Sequence, residues 1–547
     1  MSREGDRVGT GSGTHLEVET KFDVDPPFRL PGLDDLVAPL GAGIEAPVVH
    51  RLEATYLDTA DLRLQRHRTT LRRRSGGTDA GWHLKLPAAG GSRLEVHRPL
   101  GRGPGTVPPA LARLVAAQAR GGALVPVARL TTTRTVLRVL DANGRPLVEV
   151  ADDTVQAEVP PPGAEASLPE PEVLQPGSDG AARISTWREI EVEQVGDGVA
   201  ADGSPLTGAE TARLVGETLL AAGARRAAAA SKIGRALARE PDPGAHRHAT
   251  RNDRPTAGDE VLRYLGEHLT QLLVWDPQVR LGADDAVHRM RVATRRLRSH
   301  LSTHARVLDG AATEPVRAEL RWLGGVLGAA RDAEVLHARL RGSLAGLPRE
   351  LRIGPVTRRI DTELRTRRRE ALAGVRGALD GARYLALVTS LEELLERPPL
   401  TARAGRPARR ELRRSVRRAL RRVEQAVRVL GEASTPAARE TALHEVRKAA
   451  KRARYAGEAA AGVWPDEAGA FAAAMETVQE TLGAHHDGVV ARRVLRDLAV
   501  GAAAEGENAF TYGVLHGLEH SAADREVETF HGLWDEALRV TAAWPGD

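Results

Sequence analysis

The chain has 547 residues, no cysteine and a net charge of +5, and only five of its 78 basic side chains are lysine: Lys21, Lys85, Lys232, Lys448 and Lys451. Without cysteine there is no disulfide framework, thiol nucleophile or thiolate zinc site, so any metal must be held by carboxylate, imidazole or backbone oxygen. A polar, glycine-rich start and the lack of an uncharged apolar run of about 18 residues argue against a signal peptide or membrane span, so a cytoplasmic chain of about two to four domains, with two as the starting point, is expected.

Charge is uneven, with residues 1–240 at −2 and the remainder at +7. A basic second half suits a polyanionic partner, although arginine and glutamate interleaved on helices also make a solvated face. In a chain that writes arginine almost everywhere, the five lysines mark positions where a compact ammonium on a flexible stem has a use.

From His15 to about Ala157, short alternating runs such as LEVETKFDV, TLRRR, WHLKLP, SRLEVHRPL and TTTRTVLRVL predict strands. A helix near Pro108 to Arg120 interrupts them. A Pro/Glu/Ala-rich insertion at about 159–182 predicts a disordered loop, followed by a last strand at Trp187 to Val195 and helix from about Thr207 through Ala238. After a linker at 239–257 the pattern is helical to the end, with a second Pro/Arg-rich linker near 397–410. Within it, His288 of HRMRVATRRLR precedes Asp332 of LGAARDAEV by 44 residues, and His444 of HEVRKAAKRARY precedes Asp487 of LGAHHDGVV by 43. Recurrence at matched spacing predicts two helical bundles, at about 258–395 and 410–540, related by a pseudo-twofold axis.

On the first strand Glu17, Glu19 and Lys21 alternate with Leu16, Val18 and Thr20, whose face is expected to be the core side. On the last strand Glu189, Glu191 and Glu193 alternate with Ile190 and Val192. Arg72 and Arg74, Arg134 and Arg138, and Glu149 and Asp153 show the same device, with Lys85, Arg93 and Glu95 nearby. Solvent-facing strands are the plain explanation of any one of these. So many mixed-sign faces predict instead a wide, wet closed barrel, with a carboxylate wall for a divalent cation and a cationic wall for phosphates.

The run EVETK resembles the ExExK signature of the CYTH family, the triphosphate tunnel metalloenzymes that include thiamine triphosphatases and class IV adenylate cyclases. TYLDT (Tyr56, Asp58), TLRRR, the Lys85 segment, RLE, Arg134, EVADD, EIEVE and SK (Ser231, Lys232) follow in the family's order, over about residues 14–235. The resemblance implies a closed antiparallel eight-stranded β-tunnel over residues 14–238. It puts Mg²⁺ or Mn²⁺ near Glu17, Glu19, Glu191, Glu193 and Asp153, and phosphate near Lys21, Arg72, Arg74, Lys85, Arg93, Arg134 and Lys232. The expected reaction is in-line attack of water on a terminal phosphorus, with Lys21, Lys85, Arg72 and Arg74 stabilising charge. Tyr56 and Lys85 are candidates for water activation, a core tyrosine and a substrate-binding lysine being the alternative. His97 stands where an acidic residue is expected after Glu95.

On the first repeated helix His288 is followed by Arg291, Arg295 and Arg298 on one stripe; the second gives His444, Arg447, Lys448, Lys451, Arg454 and Tyr455. With RDAEV (Arg331, Asp332) and RYAGE (Glu458), these phrases resemble the CHAD family, the conserved histidine α-helical domain commonly fused behind CYTH domains, over about residues 258–540. The resemblance implies polyphosphate bound in a basic cavity. Each phrase offers one imidazole without a partner at i+3 or i+4, and His485 and His486 are adjacent, which argues against a dedicated metal site. Asp332 and Asp487 either orient the arginines or cap helices.

The expected protein is therefore an α+β tunnel joined to an all-α domain of two bundles. It hydrolyses inorganic tripolyphosphate or a related triphosphate with Mg²⁺ or Mn²⁺ and binds polyphosphate, in the cytoplasm or at polyphosphate granules. ATP cyclisation and a non-enzymatic polyphosphate scaffold are the rivals. The 3% aromatic content argues against nucleic acid, and neither a GK[ST] loop nor an HExxH helix is present.

Overall fold

The computed structural model describes residues 13–38, 41–88, 92–101, 105–161, 182–238, 255–542 and 544. It divides into two compact units, residues 1–245 and 246–547. Most of the expected loop at 159–182 (residues 162–181) and most of the linker at 239–257 (residues 239–254) lie outside the described residues.

The first unit is a curled antiparallel sheet. Its strands are β1 (Gly13–Glu17), β2 (Glu19–Val24), β3 (Gly43–Ile44), β4 (Val48–Asp58), β5 (Thr70–Ser75), β6 (Gly81–Pro87), β7 (Arg93–Arg98), β8 (Val125–Leu140), β9 (Pro146–Val159) and β10 (Arg183–Gln194). A separate ribbon, β11 (Gly198–Val199) and β12 (Pro205–Leu206), precedes the short edge strand β13 (Arg225–Arg226). The order is β1-β7-β6-β5-β4-β8-β9-β10-β2-β13, with β3 also on β8. The path therefore starts on β1 and returns to β2, which follows β1 in the chain after Val18 alone. The long β8–β9 hairpin turns at Asp141–Arg145, where Gly144 takes φ +76° and the Asp141 carboxylate accepts the amides of Asn143 and Arg145.

The helices of this unit are α1 (Asp34–Val37), α2 (Arg63–Arg66), α3 (Pro109–Ala119), α4 (Gly208–Ala221) and α5 (Lys232–Leu237). The single helix expected over Thr207–Ala238 is thus two, broken where Gly223 takes φ +100° and the chain pairs with β2 through β13. The sheet's outer apolar face, including Phe22, Val150, Ile190 and Val192, packs under Val215 and Leu219 of α4. Gly216 permits this approach, since a Cβ there would stand 3.0 Å from Phe22 Cζ. On the same face Leu71, Leu84, Leu86 and Val96 of β5–β7 are also buried, but at β1 it is bare: Leu16 is 59% and Val18 50% exposed, against the expectation that they face a core. The inner face is apolar at one end, where Ala54, Leu130, Val155, Ala157 and Trp187 pack against Ile233 and Ala236 of α5. Elsewhere the inner face is charged.

The second unit is all helical: α6 (Ala257–Leu281), α7 (Ala286–Thr303), α8 (Glu314–Ala345), α9 (Val356–Asp380), α10 (Ala382–Glu396), α11 (Ala408–Gly431), α12 (Pro436–Ala460), α13 (Pro465–Ala504) and α14 (Phe510–Ala542). Thr256 and Asp259 close a capping box at the start of α6, and Gly282 ends it at φ +76°. Packing runs α6 on α7 on α8 on α9 and again α11 on α12 on α13 on α14, with α7 against α12 and α6 against α11. A shared core of Leu336, Leu340, Ile360, Leu364, Val494, Leu495 and Leu515 ties α8 and α9 to α13 and α14. Each such side chain contributes about 1.5–3 kcal/mol on burial. Asp332 and Asp487 lie in mid-helix, in α8 and α13, so neither caps a helix. No helix among the described residues is long and apolar enough to cross a membrane.

Candidate functional site

The curled sheet encloses a cavity of about 940 Å³ lined from β1, β2, β4–β7, β8–β10 and the start of α5. Period-two alternation sends every second residue of each strand inward, and the ladder register decides which of them meet. Across β9, β10 and β2, Glu149, Glu193 and Glu19 fall in one row. Burial, then Glu17, Glu19 and Glu149, push the Glu193 carboxyl up to about 7 against the opposing pull of Lys85.

One step along the ladder the charges cancel. Ser231 caps α5 by accepting the Gly234 amide at 3.1 Å, and this sets Lys232 at the first turn, buried inside the sheet. Its ammonium lies 2.9 Å from Asp153, 2.8 Å from Glu189 and 2.5 Å from Glu191. Arg134 donates to Asp153 at 2.8 and 2.6 Å and to Glu191 at 2.5 Å, and Lys21 also pairs with Glu191. Burial by itself would raise the Glu191 carboxyl, yet Lys21, Lys232 and Arg134 hold it well below its ordinary range.

Opposite stands the arginine wall. Arg72 Nη1 donates to the Tyr56 hydroxyl at 3.2 Å. Burial acts to raise the Tyr56 phenol, but Arg72, Lys232 and Lys85 bring it below its ordinary value. Burial and the adjacent Arg72 and Arg134 push Arg74 down to about 9, although Asp79 pairs with it, and the Nε atoms of Arg72 and Arg74 are buried without a hydrogen-bond partner. At the β1–β7 seam Glu17 and Glu95 are both buried. Lys85 Nζ lies 2.6 Å from Glu17, His83 Nδ1 lies 2.6 Å from Glu95, and His15 Nε2 stands 3.5 Å from Glu95 and 3.8 Å from Glu17. Burial acts to lower Lys85, but Glu19, Glu95 and Glu17 raise it, so it remains an ammonium. Arg93 also lines the cavity.

Every residue implied for metal or phosphate except Asp153 lines this one cavity, as does Tyr56, whereas Arg138 and Glu189 do not. Beside the arginine wall of Arg72 and Arg74, the acidic residues and their partners fall into three groups. Glu19 and Glu193 share one row, in which Lys21 lies 3.3 Å from Glu19. Asp153, Glu191, Arg134, Lys232 and Lys21 form a buried ion-pair network. Glu17 and Lys85 neutralise each other near Glu95. Sequence reasoning left out Glu149 as a ligand, although its place opposite Glu193 follows from alternation once the hairpin register is known. It also left out His15 and His83, which carry no motif; His97 lies with its ring 4.8 Å from that of His83.

In the helical unit the two histidine helices face each other. Arg291, Arg295 and Arg298 of α7 meet Arg447 and Lys451 of α12 in one cationic cluster. A cavity of about 310 Å³ opens there, lined by Arg295, Arg298, Lys448, Lys451 and Tyr455 and joined by Arg317, Arg321 and Arg452. The two copies share a local geometry. Arg291 Nε would lie 3.5 Å from a Cβ at Gly328, and Arg447 Nε 3.6 Å from one at Gly483, each glycine standing four residues before the aspartate of its phrase. Arg291 pairs with Asp332 at 3.3 Å. Arg454 departs from the expected stripe: Glu458 at 2.8 Å and Glu476 at 2.6 Å engage it. His288 is half-buried and pushed down by burial and Arg331, and the His444 ring lies 5.3 Å from that of His486, tilted by 43°. That histidine pair, formed between α12 and α13, was not visible from the i+3 and i+4 positions.

The CYTH domain model matches residues 15–194 and the CHAD domain model residues 263–496. Over 529 residues, 96% of this chain, the sequence is 36% identical to the uncharacterized protein MT2285 of Mycobacterium tuberculosis (strain CDC 1551 / Oshkosh), 97% of which is covered. Similar solved structures include PptA from Streptomyces chartreusis, at 23% identity over 51% of this chain and 99% of that one with a TM-score of 0.42. Another is the CHAD domain from the plant Ricinus communis, at 24% identity over 52% and 93% with a TM-score of 0.43. The chain belongs to the family of proteins that join a CYTH domain to a CHAD domain.

Proposed function

We propose that residues 14–238 hydrolyse inorganic tripolyphosphate, or a related triphosphate, in a closed eight-stranded tunnel with Mg²⁺ or Mn²⁺, and that residues 258–540, a duplicated pair of bundles, hold polyphosphate. The observation that carries the reading is the two-signed cavity, with the row of Glu19, Glu193 and Glu149 on one side and Arg72 and Arg74 on the other. Closure is supported by the strand order: with β1 and β2 counted as one strand, the path returns to its start after eight.

The donor set suits a hard dication. In this row Lys21 pairs with Glu19 and Arg138 with Glu149, while Glu193, pushed up to about 7, carries a charge that a proton or a further cation relieves. Glu193 would hold the ion with Glu19, Glu149 and Glu17, each of which has a cationic partner, whereas Asp153 is engaged by Arg134 and Lys232 and Glu191 by Arg134, Lys21 and Lys232. A bound Mg²⁺ or Mn²⁺ supplies charge neutralisation on the phosphoryl oxygens.

The chain's own groups do the rest. Arg72 and Arg74 offer buried, unpartnered Nε–H donors to the phosphate oxygens and stabilise the charge that grows on the leaving oxygen. Lys85, held protonated, adds charge and is no base. The lowered phenol of Tyr56 is the group best placed to take a proton from the attacking water. Lys232 and Arg134 position Glu191 and Asp153 and so keep the strands in register.

The test is a substrate panel with Mg²⁺ or Mn²⁺ that reads phosphate and cyclic AMP side by side. Phosphate release from tripolyphosphate that Glu19→Gln/Glu193→Gln abolishes in a folded protein is expected. Wild-type turnover by that variant sinks the metal assignment, and cyclic AMP from ATP without phosphate release makes the tunnel a cyclase.

A further inference from the structure

Four of the five lysines are neutralised: Lys21 by Glu19 and Glu191, Lys85 by Glu17, Lys232 by Asp153, Glu189 and Glu191, and Lys448 by Glu445. Lys451 is the one lysine without a carboxylate partner among the described residues. It stands three residues beyond Lys448 on α12, half-buried, and opens on the 310 Å³ cavity, whose lining holds no acidic side chain. Its neighbours are the guanidinium groups of Arg295, Arg447, Arg291 and Arg298.

An amine desolvated and crowded by cations sheds its proton. Burial first, then Arg295 and Arg447, push Lys451 down to about 6. An ordinary lysine, near 10.4, is only about one part in a thousand neutral at pH 7.5. Lysines made neutral beside other cations are the ones that act as nucleophiles. Two of those cations, Arg295 and Arg298, also line the cavity, and with Arg317, Arg321 and Arg452 they make it able to hold a phosphate group beside the amine.

We propose that Lys451 is a covalent modification site, acylated by small acyl phosphates whose phosphate end the cavity arginines hold. The Nζ lone pair attacks the acyl carbon, the bond from that carbon to the phosphate oxygen breaks, inorganic phosphate leaves, and the nitrogen gives one proton to solvent. The product amide cannot take up a proton when a polyanion enters and adds bulk to the cavity, so acylation weakens polyphosphate binding.

The inference rests on reading this cavity as a phosphate site, and the experiment separates the two. The full chain is incubated at pH 7.5 with acetyl phosphate or with an N-hydroxysuccinimide ester of acetate, which carries no phosphate, and occupancy at all five lysines is read by mass spectrometry. With acetyl phosphate Lys451 is expected to label at least about tenfold faster than Lys448, and inorganic tripolyphosphate to suppress it. Labelling at Lys451 no faster than at Lys448 overturns the inference. So does preference with the ester alone, because the phosphate hold is then missing. Polyphosphate binding by untreated protein is measured in parallel: binding without preferential labelling sinks only the acylation, whereas loss of both sinks the phosphate site as well.

Discussion

Glu193 stands opposite Glu19 across the β2–β10 ladder, with Glu149 on its other flank. Cross-strand partners lie about 4.5–5.5 Å apart at Cβ, so Glu193 is crowded by like charge that Lys21 on Glu19 and Arg138 on Glu149 relieve only in part. Glu193→Gln should therefore raise the metal-free melting temperature, by about 2–4 °C for each kcal/mol relieved. The same variant should show a smaller rise on adding Mn²⁺ than wild type. Thermal scans with and without metal check both; an equal Mn²⁺ response in the two proteins removes Glu193 from the site.

Lys232 is the keystone of the neighbouring network. Lys232→Met leaves Asp153, Glu189 and Glu191 buried with only Arg134 and Lys21 to oppose them, and should cost about 3–5 kcal/mol, read as a lower urea midpoint. A midpoint within error of wild type would show the network to be solvated.

Acid should weaken the helical unit. His268 and His300 flank Tyr264 with ring centroids 4.1 and 4.5 Å away, and each is pushed down to about 3, chiefly by burial. Their folded values lie below the unfolded value near 6.5, so the unfolded chain binds more protons between pH 6.5 and 3. Stability is full above about pH 6.5 and falls as pH drops toward 3, by up to about 1.4 kcal/mol per pH unit for each histidine. His268→Phe keeps the ring and should flatten the slope in urea titrations between pH 7 and 5.

The arginines of the two histidine helices should separate by role. Arg295→Ala should weaken polyphosphate binding and lower the slope of log affinity against log salt by about one. Arg454→Ala should lower stability instead and leave that slope unchanged, because Glu458 and Glu476 engage its guanidinium. Titrations at several salt concentrations beside a denaturation curve distinguish them.

Much of this was legible locally. The alternation of Glu17, Glu19 and Lys21, and of Glu189, Glu191 and Glu193, forces each set onto one strand face, and the repeated phrases around His288 and His444 place equivalent arginines on equivalent helices. What alternation does not tell is which face is inside. In a curled sheet the charged face turned inward, and the apolar face is buried over most strands but left open at β1, which is why Leu16 and Val18 are exposed.

The one-dimensional pattern thus determined the kinds of charge, their faces and the repeat, because side-chain periodicity depends only on neighbours in the chain. Tertiary structure decided which charges cancel and which stay open. Register set Glu193 against Glu19, the short helix α5 delivered Lys232 to Asp153 and Glu191, and the packing of α7 on α12 left Lys451 among arginines. Those meetings join residues far apart in sequence, and their energies depend on distance and burial.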